Sequence, residues 1–182
     1  MTKQLAFVFR QENCVGCEAC TVACQAKNKL DEKRMYRQIS CHDRLSQQGR
    51  SVQVFLSQSC HHCENPYCVK ACAYGVYSKR ADGIVVQNLE NCVGCGQCVR
   101  DCPHGALAME DINGRNRATK CDMCAELIDA GEKPACVRGC PVQVLDVMPL
   151  EEAVQLPGAQ LYGHGYSDFG NKPNTVIIRK RS

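Results

Sequence analysis

Seventeen cysteines in 182 residues, gathered into four groups of four with one left over, restrict this chain more than any other feature. The first group is Cys14, Cys17, Cys20 and Cys24, spaced C-x2-C-x2-C-x3-C. The second, Cys60, Cys63, Cys68 and Cys72, loosens that to C-x2-C-x4-C-x3-C. The third, Cys92, Cys95, Cys98 and Cys102, repeats the first and is followed by Pro103. The fourth is Cys121, Cys124, Cys136 and Cys140, followed by Pro141, with a long gap between its second and third members. Cys41 stands alone.

Three chemistries use cysteine at such density. Disulfides require an oxidising compartment, and repeated C-x2-C pairs place thiols too close for a framework of bridges. Structural zinc uses two C-x2-C pairs separated by a loop, which the fourth group would satisfy but the first and third would not. Iron–sulfur ligation accounts for all four together. A C-x2-C-x2-C loop bends round one cubane and supplies three thiolates; the cysteine three residues on ligates the other cluster of a pair, and proline then turns the chain back. Sixteen cysteines at four per cluster predict four [4Fe–4S] centres, and since no ligand position is substituted nothing suggests a three-iron centre.

Composition agrees. The apolar fraction of 45% includes the cysteines and falls to about 36% without them; there is no Trp and there are ten Phe and Tyr residues. Ordinary side chains would make a thin core, so bound clusters are expected to supply much of the folding free energy. No apolar run approaches the ~18 residues of a spanning helix. Residues 1–10 show no twin-arginine pair and no cleavage site, so no export signal is read. The formal charge of +3 changes sign on recounting: each cluster with its four thiolates carries about −2 when oxidised, which leaves a holoprotein near −5. No basic stripe with interleaved aromatics points to nucleic acid.

The fold class expected is α+β, with tandem bacterial-ferredoxin-like dicluster units and short β-hairpins and helices around four cubanes. Val76–Lys79 and Ile84–Gln87 flank an Asp82-Gly83 turn, and Ala106–Met109 and Ala118–Lys120 flank Asn113-Gly114; both read as hairpins. Residues 4–9, 51–56, 144–147 and 175–178 read as strands, and 149–155 can open a short helix. Residues 28–50 look like a polar linker or surface lobe, and 157–174 like an extended surface run. Arg179-Lys180-Arg181 is a basic end that reads as a solvated terminus or a subunit contact.

With its four groups in this order, the sequence resembles the four-cluster iron–sulfur electron-transfer subunits of molybdopterin oxidoreductases, in particular those of the dimethyl sulfoxide reductase type. The resemblance runs from Phe7 to Ile178. It includes Lys120-Cys121-Asp122-Met123-Cys124, the stretch Gly131 to Cys136, and Lys172-Pro173-Asn174-Thr175-Val176. It implies that group one pairs with group four and two with three, where spacing alone would equally allow one with two. One cluster would then take Cys14, Cys17, Cys20 and Cys140, and its partner Cys24, Cys121, Cys124 and Cys136. A third would take Cys60, Cys63, Cys68 and Cys102, and a fourth Cys72, Cys92, Cys95 and Cys98. The first unit becomes discontinuous, 1–50 with 115–150; the second, 51–114, is inserted in it; 151–182 is an extended C-terminal segment. Cys41 and the Ala73 that follows Cys72 depart from the family pattern without removing a ligand.

What the resemblance implies is a non-catalytic relay, with no small-molecule substrate of its own. It would pass single electrons between a quinol-handling membrane anchor, nearest the Cys72 cluster, and a large molybdopterin catalytic subunit, nearest the Cys14 cluster. Its place would be peripheral to the cytoplasmic membrane, the outer face by co-export with a partner being favoured over the cytoplasmic face. Alternatives are a relay for formate dehydrogenase, hydrogenase or a polysulfide, thiosulfate or arsenate reductase, a free polyferredoxin, and a zinc-stabilised interaction module. Around the clusters, His61 and His62 are candidates for packing, for tuning a potential or for ligation, Arg100 and His104 for tuning or for solvent, and Cys41 for a free thiol.

Overall fold

Each cysteine group lies where a loop runs into a short helix, and the strands bring these loops together. The computed structural model of the protein describes residues 4–31, 33–45, 49–162 and 166–179. Four helices carry cysteines: α1 (Ala19–Asn28), α2 (Tyr67–Ala71), α3 (Gln97–Asp101) and α5 (Ala135–Arg138), while α4 (Ala125–Asp129) and α6 (Leu150–Ala153) carry none. In each of the four, one cysteine is followed by another four residues on: Cys20 and Cys24, Cys68 and Cys72, Cys98 and Cys102, Cys136 and Cys140. That spacing stacks both thiols on one side of a helical turn. Helix α1 packs on α5, and α2 on α3.

The main sheet joins the ends of the chain. Strands β1 (Leu5–Arg10), β8 (Leu145–Pro149), β9 (Ala159–Gln160) and β10 (Thr175–Ile178) lie in the order β8-β1-β10-β9. Strand β1 runs antiparallel to β8 and parallel to β10, with Val8 opposite both Asp146 and Val176. Its middle is buried on both faces, with Ala6, Phe7, Val8 and Phe9 each at most 1% exposed. A central strand with covered faces reads as such a continuous apolar run.

Three two-stranded hairpins complete the fold. Strands β4 (Tyr77–Lys79) and β5 (Val85–Gln87) close on Asp82-Gly83, where Gly83 takes φ 82° and the Asp82 carboxylate accepts from the Ile84 N–H at 3.1 Å. Strands β6 (Leu107–Ile112) and β7 (Arg115–Lys120) close on Asn113-Gly114, both with positive φ, as a type I′ hairpin turn requires. These two hairpins, and the late strand β10, follow the sequence expectation.

Residues 28–50 do not. In place of a linker, β2 (Arg37–Leu45) pairs with β3 (Ser51–Ser59) over nine residues. Arg37 and Ser57 are buried at the base of this hairpin, while Cys41 to Leu45 are exposed along its outer part. A strand polar on both faces lacks the alternation by which strands are recognised, so the pattern hides it. Residues 157–174 also differ, because Tyr166, Asn171 and Asn174 are buried rather than laid over the surface.

Gly139, at the end of α5, sits where no side chain fits: a Cβ there would lie 2.4 Å from the Ala23 Cβ on α1. Its φ of −80° is open to any residue, so the demand for glycine is one of space. Gly139→Ala is expected to destabilise the protein by ~1–3 kcal/mol through overpacking. A lowered thermal midpoint of the cluster-loaded protein checks this, and an unchanged melt would show that α1 and α5 tolerate separation.

Candidate metal centres

The loop of the first C-x2-C pair in each group turns the same way. The residue before its second cysteine has positive φ in all four: Gly16 at 68°, His62 at 46°, Gly94 at 77° and Met123 at 60°. Two of these are not glycine, and a left-handed residue with a Cβ costs on the order of 1 kcal/mol or more, tolerated where surroundings enforce it. The turn aims backbone N–H groups at sulfur. Met123 N–H reaches Cys121 Sγ at 3.3 Å, and Gly16 N–H serves Cys14 in the same way. Val144 N–H adds a contact to Cys140 Sγ at 3.4 Å. Such donors suit a thiolate, the form in which cysteine binds metal.

Two of the four expected sets each line a cavity. Cys14, Cys17, Cys20 and Cys140 line one small cavity with Phe9, Ile39, Val144 and Leu145. Cys72, Cys92, Cys95 and Cys98 line a second with Tyr74, Val76 and Ala118. Burial pushes the Cys24 thiol up to about 12, and Cys136 and Cys124 add to the rise. Burial likewise lifts Cys121 far above the ordinary thiol range, with Cys60, Cys136 and Cys24 pushing the same way. Cys24, Cys121 and Cys136 are buried in one cluster of the core, and Cys124 bears on Cys24. Cys63 and Cys68 are each raised to about 12 by burial, and Cys60 and Cys102 bear on both, which defines the remaining set.

Neighbouring groups of sulfurs influence one another in succession. Cys20 on α1 faces both Cys14 of its own set and Cys136 of the next. Cys121 faces Cys60 across the boundary between the second and third sets. Tyr77 bridges the third and fourth, close to Cys98 first and to Cys68 and Cys92 beyond it. Each helical pair of cysteines therefore divides between neighbouring sets. The two ends of this succession open to solvent: Cys17 and Cys95 are exposed, whereas Cys24, Cys121, Cys124 and Cys136 are all buried. Beside the ends stand exposed apolar residues, Val15 and Val142 at one, Val93 and Tyr74 at the other.

Polar side chains reach the sulfurs from outside the cysteine groups. Tyr77 Oη lies 3.3 Å from Cys98 Sγ and also 3.3 Å from the Ala118 carbonyl. Asn171 Nδ2 donates to Cys63 Sγ at 2.9 Å and to His104 Nε2 at 2.8 Å. Nothing in the spacing of Tyr77 or Asn171 announces these contacts, because both partners are brought in by long-range packing.

The other sequence candidates fall outside the thiol sets. His61 is buried, with Nδ1 2.7 Å from Thr175 Oγ1 and its ring edge-on to His104 at 4.4 Å. Burial, helped by His104 and Arg37, holds it down to about 3, so it is neutral. His62 accepts the Val85 N–H at Nδ1, 3.0 Å away, and burial keeps it neutral as well. Both are held by the segment that follows Lys172: Asn174 N–H donates to the His61 carbonyl and Asn174 Nδ2 to that of His62. Arg100 is exposed and bonds to Gln97 on its own helix. His104 is half-buried against Asn171. Cys41 is exposed on β2, opposite Phe55. Of the basic end, Lys180 and Arg181 lie outside the described residues. Among the described residues no helix is long and apolar enough to cross a membrane.

Comparison with known proteins gives the same chemistry. Residues 51–149 match a family described as 4Fe-4S dicluster domain, and residues 11–27 one described as 4Fe-4S binding domain. The sequence is 37% identical to the B subunit of anaerobic dimethyl sulfoxide reductase of Escherichia coli (strain K12), over 97% of its own length and 89% of the relative. It is 36% identical to the thiosulfate reductase electron transfer subunit of Salmonella typhi, over 84% of its own length and 80% of that relative. It is 31% identical to the nitrate-inducible formate dehydrogenase iron-sulfur subunit of Escherichia coli (strain K12), over 92% of its own length and 63% of that relative. Four turned loops, thiols gathered in sets and kinship along nearly the whole length agree, and this protein belongs to the family of 4Fe-4S dicluster electron-transfer subunits that includes the B subunit of dimethyl sulfoxide reductase.

Proposed function

We propose that the protein relays single electrons along four [4Fe–4S] clusters, between a quinol-handling membrane subunit and a molybdopterin catalytic subunit of the dimethyl sulfoxide reductase type. The observation that supports this best is the succession of thiol groups with its two solvent-exposed ends. The ligands would be Cys14, Cys17, Cys20 and Cys140; Cys24, Cys121, Cys124 and Cys136; Cys60, Cys63, Cys68 and Cys102; and Cys72, Cys92, Cys95 and Cys98. On this reading the first unit is discontinuous, held by the packing of α1 on α5 and of β1 on β8, and the second is built on α2 and α3.

The residues fit such clusters. Each set offers four sulfurs with backbone donors nearby, and thiols this buried ionise at neutral pH only where iron supplies compensating positive charge. When bound, the clusters supply reversible one-electron redox chemistry. The contribution of the polypeptide itself is to hold them in line, exclude water from the middle sets, and leave the outer two accessible. The apolar collars differ in kind: Val15 and Val142 beside Cys17 would meet the catalytic subunit, and Val93 and Tyr74 beside Cys95 the membrane anchor. The assembly would then sit at the cytoplasmic membrane, its outer face favoured. A relay in thiosulfate reductase or formate dehydrogenase is the second reading, favoured by the comparable kinship to those subunits.

Anaerobically purified protein is expected to carry about sixteen iron atoms and as many acid-labile sulfides per molecule; about two zinc ions and no sulfide would refute the relay. Native purification followed by dye-coupled reduction of dimethyl sulfoxide and thiosulfate, and oxidation of formate, identifies the enzyme served. Chelating the iron is expected to abolish the cooperative melt, since cluster binding contributes folding free energy. A native-like circular dichroism spectrum from apoprotein would contradict that. With Cys98 ionised, the Tyr77 hydroxyl donates to its sulfur and stabilises the more negative, reduced state. Tyr77→Phe is therefore expected to lower one midpoint potential by roughly 40 mV, taking ~1 kcal/mol for the lost bond and 59 mV per tenfold. Potentiometric titration followed by electron paramagnetic resonance measures it.

A further inference from the structure

Arg37 is a buried cation at the junction of the two dicluster units, and it has no carboxylate. It is 2% exposed at the base of β2. Its Nη1 donates to Ser57 Oγ at 2.8 Å and its Nη2 to Ser59 Oγ at 2.9 Å, both neutral acceptors. The guanidinium lies over the Phe7 ring, 4.5 Å from its centroid, and its Nε–H has no hydrogen-bond partner. Among the described residues the ion pairs involve other side chains: Arg34 takes Glu110, Arg80 takes Asp129, Lys27 takes Glu126. The Phe7 ring that it covers belongs to the same buried cluster as Cys20, Cys24, Cys121 and Cys136, and the sulfurs of Cys136, Cys121 and Cys20 favour its charge.

A second buried cation is the residue that precedes Cys121. Lys120 is 1% exposed, and its ammonium donates to the backbone carbonyls of Cys121, at 2.8 Å, and of Val85. A buried charge without a carboxylate is costly. Such a cost is offset where an anion stands close, and a cluster on Cys24, Cys121, Cys124 and Cys136 would supply one beside Arg37.

We propose that Arg37 is the built-in counter-charge of the cluster held by Cys24, Cys121, Cys124 and Cys136, and that it raises the reduction potential of that cluster. Reduction adds one electron and makes the cluster more negative by one unit, so a fixed positive charge beside it favours the reduced form. Arginine suits the place, since its guanidinium stays charged when buried and is weakly hydrated. Cys20 bears on Arg37 less strongly than Cys136 and Cys121 do. The effect on the Cys14 set is therefore smaller, and the Cys72 set at the far end is untouched. The inference rests on the ligand reading proposed above.

Arg37→Gln and Arg37→Lys in the full-length protein, purified anaerobically with iron and sulfide determined, test it by potentiometric titration. The expected result is full iron content in both. In Arg37→Gln one midpoint moves to a more negative potential, that of the signal which Cys121→Ser also alters. In Arg37→Lys, where the charge remains, most of the shift is recovered. The signal altered by Cys95→Ser stays in place in both variants. Unchanged potentials in a fully loaded Arg37→Gln would overturn the proposal. So would an equal shift in Arg37→Lys, which would assign the effect to shape rather than charge. Should Arg37→Gln lose iron, Arg37→Lys decides: full iron and a near-parental potential support the counter-charge, and equal loss of iron overturns it. The ligand reading is tested separately in the parent, where fewer than four reducible clusters would sink it before any Arg37 variant is measured.

Discussion

Everything in this fold answers to the convergence of four thiols at each of four points. Buried sulfurs oppose ionisation, and neighbouring sulfurs oppose it further, as the rise of Cys24, Cys63 and Cys68 to about 12 expresses. A polypeptide that draws them together gains nothing from their mutual contact and depends on what they bind. The device that achieves convergence is repeated: a left-handed loop residue, then a helical turn with thiols four residues apart. Because each turn feeds two sets, no set can form from one helix alone. The helices must pack in pairs, and the absence of a side chain at Gly139 is what lets α5 approach α1.

The electrostatic surroundings are arranged around the same sulfurs. Imidazoles near them are kept neutral by burial, so His61 and His62 pack and accept or share hydrogen bonds without adding charge. Charged groups are mostly at the surface, in exposed pairs such as Arg138 with Glu132 and Lys133 with Asp146 that contribute little to stability. Among the described residues Arg37, Lys120 and Glu110 are the buried exceptions, and Glu110 is paired with Arg34. Neutral donors reach the sulfurs in several places, Asn28 at Cys24, Asn171 at Cys63 and Tyr77 at Cys98.

Much of this was legible in the sequence. The cysteine spacings named the chemistry, Asp82-Gly83 and Asn113-Gly114 placed two hairpins, and Thr175–Ile178 appeared as the late strand it is. Features that depend on distant packing were not legible. Strand β2 reads as polar linker because its outer half meets water on both faces. Arg37 consequently looks like an ordinary solvated residue, although it is buried beneath Phe7. The segment before β10 reads as surface, yet Tyr166 Oη donates to the Ser57 carbonyl at 2.7 Å from 109 residues away. His62 and Met123 carry no sign of the left-handed backbone that glycine signals at Gly16 and Gly94.

Strand β10 lies between β1 and β9, parallel to β1, so the last described stretch of polypeptide is wedged into the sheet begun by the first. Cys14 likewise lines one cavity with Cys140, 126 residues further on. The inner stretch from Cys60 to Cys102 is a modest loop to shut, whereas the outer groups close over a span three times as long. On the proposed ligand sets, as the polypeptide leaves the ribosome the Cys60 and Cys72 sets are complete while the Cys14 and Cys24 sets still lack their partners. The same topology that puts Cys17 at one exposed end of the succession makes that end the last to acquire its full complement of sulfur.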